Sequence, residues 1–600
     1  MLKEYKTLLP YMKKYRWSYV AGLLSLVVTS GGQLFIPQFI RRAVDEVGQG
    51  EVDLAVIGQI ALGMIAVALV IGIGRFGWRY FIHGSSRRIE MELRGRLFDH
   101  FMSLSSGFFA RNKIGDLMAR STNDMQHIRM ASGMALVAAT DGIFMTVAIL
   151  VILFSQNPRL ALLSILPLPV ITLIIIFMGR LLGKLFKRVQ EGFSTISQQA
   201  QEVFTGIRVV KSFVKESYFL RKFQQANEDY QSRNMRLVRL WGLFFPLVTF
   251  LSGLTSLILL RVGGESVILR EISTGELVAT LNYLEMLVWP MLGAGFTVNM
   301  IQRGGAALQR INEILNEEPE IQSPLEGIRI AGRPTSEELA RGPNGQGSLV
   351  EARGAISVRN LTYSYPDADE PVLHDISFEV EAGEILGILG RTGSGKTTLI
   401  RLLPRLLNPP PGAVFLDGRD VRDYDLASLR SMFGFVPQDT FLFSASLKDN
   451  ISFGMRHVND DIVQRSAEIS TITRDMAEFP SGWLTEVGER GITLSGGQKQ
   501  RIAISRALAA ESEILVFDDA LSAVDTETEE KILDELLTYR RGKTSLIVSH
   551  RVSTLQAANR IIVLDQGRIV QSGRHEELVA EDGFYQEIFN LQQLSEEGGI

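Results

Sequence analysis

A chain of 600 residues is too long for a single hydrophobic core, so two or more domains are expected. The formal net charge of −4 gives no reason to expect a nucleic-acid partner, and the absence of cysteine excludes disulfides, thiolate metal sites and cysteine nucleophiles. A mean hydropathy above zero, in a chain with 21% charged residues, points to a membrane part joined to a soluble part.

The N-terminal LKEYKTLLPYMKKYRW sets Leu8, Leu9, Tyr11 and Met12 among lysines, the pattern of a helix lying on the inner membrane surface. Six nearly uncharged windows follow, at about 17–40, 54–80, 133–156, 160–180, 241–260 and 277–301. Each supplies the roughly 20 apolar residues a bilayer-crossing helix needs. The first is too long for a cleaved signal peptide, has no small-residue cleavage site and is followed by more spans. Residues 75–132 and 180–240 carry ten and twelve Lys/Arg against five acids each, while the other connections are short and balanced or acidic. The positive-inside rule then puts both termini and these two long loops in the cytoplasm. Both loops are helical in pattern, and a helical hairpin of that length would reach about 35–40 Å below the membrane. Within the spans, Asp141 and Glu285 are intramembrane acids, with Gln33 and Asn282 as further polar groups and Phe35, Tyr283, Trp289 and Phe296 as aromatics. They are candidates for a substrate cavity suited to amphipathic cations; interhelical hydrogen bonding and packing are the alternative roles.

The all-α membrane domain is expected to fill 1–315, followed by a Pro-, Gly- and acid-rich linker over 316–349. Over 350–590, short apolar β-rich runs (AISVRNLTYSY, EILGILG, EILVFD, TSLIVSH) alternate with helical stretches, which predicts an α/β domain with a largely parallel sheet. Residues 591–600 read as a tail. GRTGSGKT, 390–397, fits the P-loop pattern between a strand and a helix. In it Gly390, Arg391, Thr392, Gly393, Ser394, Gly395, Lys396, Thr397 and the following Thr398 would wrap a phosphate chain with backbone N–H groups. Lys396 supplies a point charge and Thr397 a hydroxyl for Mg²⁺. ILVFDD, 514–519, is an apolar strand ending in two carboxylates, of which Asp518 is placed to hold Mg²⁺.

LSGGQKQR, 494–501, resembles the signature of ATP-binding-cassette proteins, with Leu494, Ser495, Gly496, Gly497 and Gln498 opening a helix. In that family this turn closes over ATP bound by the opposite subunit. Other positions are similar in turn: Tyr365 to the aromatic that stacks on adenine, Gln438 to the Q-loop glutamine that reaches Mg²⁺ and the attacking water, Asp525 to the D-loop aspartate and His550 to the switch histidine. TEVGERG, 485–491, is similar to a loop of the family's exporters. The resemblance runs over essentially the whole chain. It implies a half-transporter of the exporter type: a polytopic domain of six transmembrane helices with long cytoplasmic extensions, plus an α/β P-loop ATPase domain, with ATP and Mg²⁺ as cofactors. It also implies short coupling helices within 123–133 and 215–223 that dock on nucleotide-binding domains.

One position departs from the family. The residue after the Walker B aspartate is normally Glu, and here it is Asp519. A carboxylate shorter by one methylene is displaced by about 1–1.5 Å, and misplacement on that scale costs on the order of 10²-fold in rate. Either Asp519 is a slow catalytic base in an ordinary homodimer, or the chain resembles the degenerate subunit of heterodimeric bacterial multidrug exporters. In the second case its LSGGQ completes a competent site on a partner chain that carries Glu. Export of lipids or lipopeptides, and an ATP-gated channel, remain as further readings.

Overall fold

The computed structural model describes residues 3–48, 53–166, 168–324, 326–334, 348–366, 368–488, 491 and 494–597. They divide into two compact units, Met1–Met102 with Lys113–Glu317, and Ser103–Asn112 with Glu318–Ile600.

The first unit is helical. After a 3-10 turn at Glu4–Leu8 come α1 (Leu9–Lys14), α2 (Arg16–Gly48), α3 (Leu54–Trp78) and α4 (Gly84–Ser103). α5 (Ser106–Arg111) falls in the second unit, and the first resumes with α6 (Ile114–Ala119), α7 (Met125–Ser132), α8 (Met134–Gln156) and α9 (Pro158–Ile165). α10 (Leu168–Thr205), α11 (Ile207–Ser212), α12 (Glu216–Ile268) and α13 (Thr274–Leu315) complete it. Among the described residues five helical stretches are long and apolar enough to cross a membrane: Arg16–Gly48, Leu54–Ser103, Ile114–Gln156, Glu216–Ile268 and Thr274–Leu315. The window expected at 160–180 is divided between α9 and α10. Single π-helical turns, Arg79–His83 and Arg120–Asp124, carry α3 into α4 and α6 into α7, so the helices run on past the apolar windows.

Small residues let these helices approach closely. A Cβ on Gly74 of α3 would run into the Thr29 hydroxyl of α2 and lie 3.0 Å from the Ser25 carbonyl oxygen, and one on Gly32 would lie 2.9 Å from Ile71. Close backbone approach is how helices gain packing energy where lipid supplies no hydrophobic drive. Met145, Ile149, Leu153, Leu160, Leu259, Tyr283 and Leu287 bring α8, α9, α12 and α13 into one core. The N-terminal segment, expected on the membrane surface, is tied to α13: Leu8 is fully buried, Tyr5 Oη donates to the Ile301 carbonyl at 2.7 Å and Thr7 Oγ1 to Asn312 Oδ1 at 2.9 Å.

The second unit is α/β. Its main sheet has the order β12-β11-β5-β10-β9-β8, built from β5 (Ile385–Gly390), β8 (Phe433–Val436), β9 (Ile514–Asp518), β10 (Thr544–Ser549), β11 (Arg560–Asp565) and β12 (Arg568–Gly573). All pairings are parallel except β11 with β12. β9 and β10 are buried along their whole length, which is why they read as unbroken apolar runs. A second, antiparallel sheet has the order β4-β3-β6-β7: β3 (Ile356–Tyr363), β4 (Leu373–Val380), β6 (Val414–Leu416) and β7 (Arg419–Asp420). Helices that carry the site are α14 (Lys396–Leu402), α18 (Gly496–Ala509), α19 (Thr526–Tyr539) and α21 (Phe584–Glu597); α15 (Leu426–Ser431), α16 (Leu447–Ile451), α17 (Asp460–Ile469) and α20 (His575–Ala580) lie between them in the chain.

Part of the segment read as a linker is built into this unit. β1 (Arg329–Ile330) pairs in parallel with β2 (Leu349–Val350), the Ile328 amide donates to the Asp423 carbonyl at 2.8 Å, and Ser323 Oγ donates to Asp425 Oδ2 at 2.9 Å. Residues 335–347 lie outside the described residues, as do 489–490 of the TEVGERG stretch and 598–600 of the expected tail. The expected tail otherwise continues α21 to Glu597.

α5 corrects the first expected coupling segment. Residues 103–112 belong to the α/β unit, where Ser106 Oγ donates to the Leu406 carbonyl at 2.9 Å and Ser105 Oγ to Glu320 Oε2 at 3.3 Å. The segment 123–133 stays inside the helical unit instead: Met125 and Ile128 are fully buried, and Asp124 holds Arg310 in a two-pronged ion pair with Nε at 2.8 Å. Its buried apolar side chains are spent inside the helical unit, with Asn123 and Gln126 left exposed.

Candidate functional site

Parallel strands end at the same edge of a sheet, and the register here puts the expected motifs side by side. Val548 pairs with Asp518, Ser549 with Leu389 and Val436 with Phe517. The loop after β5, the carboxylates after β9, the histidine after β10 and the glutamine after β8 therefore meet in one crevice. Thr392, Gly393, Ser394, Gly395, Lys396, Thr397, Gln438, Asp518, Asp519, Val548 and His550 line a single cavity.

The loop after β5 folds by glycine. Gly393 and Gly395 have φ of 84° and 98°, open to residues without a Cβ, and a Cβ on Gly390 would run into the Leu564 carbonyl and the Ser394 hydroxyl. Lys396 is buried and folds back over its own loop, donating to the carbonyls of Gly390 at 2.7 Å and Arg391 at 2.9 Å. Burial pulls its ammonium down to about 8, against the pull of Asp519 and Asp518. Thr397 Oγ1 donates to Asp518 Oδ1 at 3.1 Å. Asp518 Oδ2 is buried with no hydrogen-bond partner, and burial raises this carboxyl above its ordinary value. A buried lone pair beside a threonine hydroxyl fits a hard cation with oxygen ligands such as Mg²⁺. His550 is lowered by burial first and by Lys396 next, against the pull of Asp519 and Asp518. Asp519 takes a left-handed backbone with φ 51°, and its amide donates to the Val548 carbonyl at 2.9 Å.

The remaining candidates lie outside the residues lining that cavity. Tyr365, just past β3, bonds through its hydroxyl to Thr398 Oγ1 at 3.0 Å, which ties the ring to α14. Ser495 caps α18: its hydroxyl accepts from the Gln498 amide at 3.2 Å and Gln498 Oε1 accepts from the Ser495 amide at 3.0 Å, a capping box. Gly497 approaches the 519–525 segment so closely that a Cβ would lie 3.1 Å from the Ala523 carbonyl oxygen. Gln500 from the same helix binds that segment on two sides, through Ser522 Oγ at 3.1 Å and the Ala523 amide at 2.9 Å. Asp525 caps α19 by accepting from the Thr528 amide at 2.9 Å.

Comparison with known families decides what this assembly is. The description ABC transporter transmembrane region matches residues 19–291, and ABC transporter matches 373–522. The chain belongs to the ABC transporter family. Over 593 residues it is 35% identical to the probable multidrug resistance ABC transporter ATP-binding/permease protein YheI of Bacillus subtilis, covering 98% of each chain. The multidrug resistance-like ATP-binding protein MdlA of Escherichia coli is 33% identical over 97% of this chain and 96% of its own. The ATP-dependent lipid A-core flippase of Idiomarina loihiensis is 32% identical over 98% of this chain and 97% of its own. Among solved structures, that of a bacterial Atm1-family ABC exporter with ATP bound matches with a TM-score of 0.73 at 26% identity, over 96% of this chain and 98% of the other. An ABC exporter with fused transmembrane and nucleotide-binding domains is therefore the architecture, and its ATP-binding domain implies ATPase activity.

The ABC transporter's membrane residues are not gathered as its nucleotide residues are. Asp141 accepts a short hydrogen bond from the Ser30 hydroxyl, and Asn282 Nδ2 donates to the Val278 carbonyl of its own helix at 2.9 Å, so both have local partners. Glu285 is exposed, with Trp289 one turn away and Phe296 further along α13, and Gln33 is half-buried on α2. Tyr283, an expected cavity aromatic, is fully buried: it donates to the Leu34 carbonyl at 2.7 Å and accepts from Gln38 Nε2 at 2.9 Å. The exposed surface of unit one includes Phe213, Val214, Tyr218 and Leu220 around the turn between α11 and α12, within and beside the second expected coupling segment.

Proposed function

We propose that this chain is one half of a dimeric exporter in the cytoplasmic membrane, driven by ATP and carrying amphipathic or hydrophobic compounds outward, and that its own ATP site holds nucleotide more than it hydrolyses it. The observation that carries the second part is Asp519. It lines the cavity beside Lys396, Gln438 and His550, where the family's catalytic carboxylate belongs, but on a side chain one methylene short. ABC exporters work as dimers in a bilayer, and here the companion is a distinct chain carrying Glu at the matching position.

The residues divide the work as follows. Backbone amides of 390–397 and the positive end of α14 hold the phosphates, with Lys396 exchanging its two carbonyl partners for phosphate oxygens. Tyr365 stacks on adenine. Thr397, Asp518 and Gln438 hold Mg²⁺, which when bound neutralises charge on the phosphates. Asp519 orients the attacking water weakly because of its reach, and His550 contacts the γ-phosphate. The capped turn of Ser495, Gly496 and Gly497 grips the γ-phosphate bound by the companion chain, and Asp525 lies at the interface between the two. ATP favours the closed pair over the open one, and only that differential affinity can tilt the membrane helices. Glu285, with the aromatics Trp289 and Phe296 on the same helix, suits cationic amphiphiles, in keeping with relatives named for multidrug resistance. A second reading, lipid export by a homodimer, is favoured by the flippase relatives.

The test is ATP turnover by the purified chain alone and with a companion chain carrying Glu. Slow turnover alone and brisk turnover in the pair is expected. Brisk hydrolysis by the lone chain, abolished by Asp519→Asn, would overturn the division of labour. ATP-driven accumulation of a cationic dye in inside-out vesicles, against its gradient, separates a drug pump from a lipid exporter or a gate.

A further inference from the structure

We propose that Gln592, in the C-terminal helix α21, is a positioning residue that fixes where His550 stands against the terminal phosphate of ATP. The proposal rests on the reading of His550 given above. β10 ends at Ser549, and the chain turns before a 3-10 segment at Ser553–Leu555. Backbone groups in such a turn have left the sheet ladder and must find partners elsewhere. Gln592 supplies two at once: its Nε2 donates to the His550 carbonyl at 2.8 Å and its Oε1 accepts from the Val552 amide at 2.8 Å. A primary amide carries donor and acceptor on one planar head, so a single side chain holds the peptides on both sides of Arg551.

The other side of the turn is held from α19. Glu529, buried, accepts from Arg551 Nη1 at 2.5 Å and from the Thr554 hydroxyl, while Ser549 Oγ accepts from the Arg551 amide at 2.9 Å. With the His550 carbonyl held by Gln592 and the peptides on both sides of Arg551 fixed, ψ of His550, one of the two backbone angles that aim its imidazole, has little freedom left. Gln592 is not what docks α21. That helix packs through Tyr585, Ile588 and Phe589 on a cluster containing Val552 and Leu555. Loss of the amide therefore loosens the histidine turn and leaves the helix in place.

ADP lacks the phosphate that His550 meets, so a residue acting only through His550 changes the ratio of ATP to ADP affinity and leaves ADP affinity alone. The measurement uses the full chain in nanodiscs with Mg²⁺, titrated separately with ATP and ADP, alongside thermal melts. Gln592→Met keeps length and packing but removes both hydrogen bonds; Gln592→Glu keeps the acceptor for the Val552 amide and loses the donor. For Gln592→Met we expect an ATP preference reduced about tenfold, the scale of one hydrogen bond to a charged group, with ADP affinity unchanged and Tm lowered by no more than a few degrees. Gln592→Glu, which sets a carboxylate oxygen against the His550 carbonyl, should lower the ATP preference at least as far. An unchanged ratio in Gln592→Met, or equal losses for ATP and ADP with a lowered Tm, overturns the proposal. A native chain with no preference for ATP sinks the reading of His550 itself and the proposal with it, a result visible before any variant is made.

Discussion

Asp519 sits at φ 51°, a backbone region that aspartate and asparagine tolerate better than glutamate does. The shorter acid thus has a conformational reason as well as a catalytic consequence. Asp519→Asn is expected to melt at the native temperature, and Asp519→Glu to lose about 1 kcal/mol, read by thermal denaturation. At Thr397 the hydroxyl is shared with Asp518, so Thr397→Val should leave Mg²⁺-free nucleotide binding intact. It should weaken Mg²⁺-dependent binding about tenfold, checked by titration with and without the metal. The P-loop and the strand ending in two carboxylates were legible from their own pattern, whereas Gln438 and His550 were legible only through the resemblance to the family. The fold-back of Lys396 onto two carbonyls and the contact of Gln592 with the His550 carbonyl were not legible. The first is a local backbone geometry without a motif, and the second is one glutamine among several in a polar helix, brought to His550 by tertiary packing.

Helices in the membrane part are legible by hydropathy and their ends are not. The window at 54–80 belongs to a continuous stretch reaching Ser103, in keeping with the helical pattern expected beyond it, and what hydropathy does not show is the π-helical turn at Arg79–His83 that carries the helix on. The first docking segment was misplaced for a related reason. The unit each helix joins separates 106–111 from 125–132: Met125 and Ile128 are consumed inside the helical unit, while Ser106 bonds to Leu406 within the α/β unit. The α2–α3 seam gives a test at this scale. Gly74→Ala puts a methyl against the Thr29 hydroxyl and the Ser25 carbonyl, and should destabilise the helical unit by about 1–3 kcal/mol, seen as a lowered Tm in detergent. Gly72→Ala, with open space around its Cβ, serves as the control and should melt unchanged.

At the scale of the molecule, likeness to an exporter structure over 96% of the chain gives the protein the architecture of an ABC exporter. Exposed Phe213 and Val214 fit that view, since large apolar side chains at a helical turn await a partner surface. Val214→Glu should change stability by no more than about 0.5 kcal/mol and yet reduce substrate-stimulated ATP turnover in the assembled pair. Stimulation that survives the exchange would remove this turn from the path between transport and hydrolysis.

The most direct measurement of the central claim is single-turnover ATP hydrolysis at this chain's own site, native against Asp519→Glu, in the assembled exporter. A carboxylate short by one methylene should give a slow native rate that rises about 10²-fold in Asp519→Glu. A native rate already fast, or one that glutamate leaves unchanged, would contradict the account.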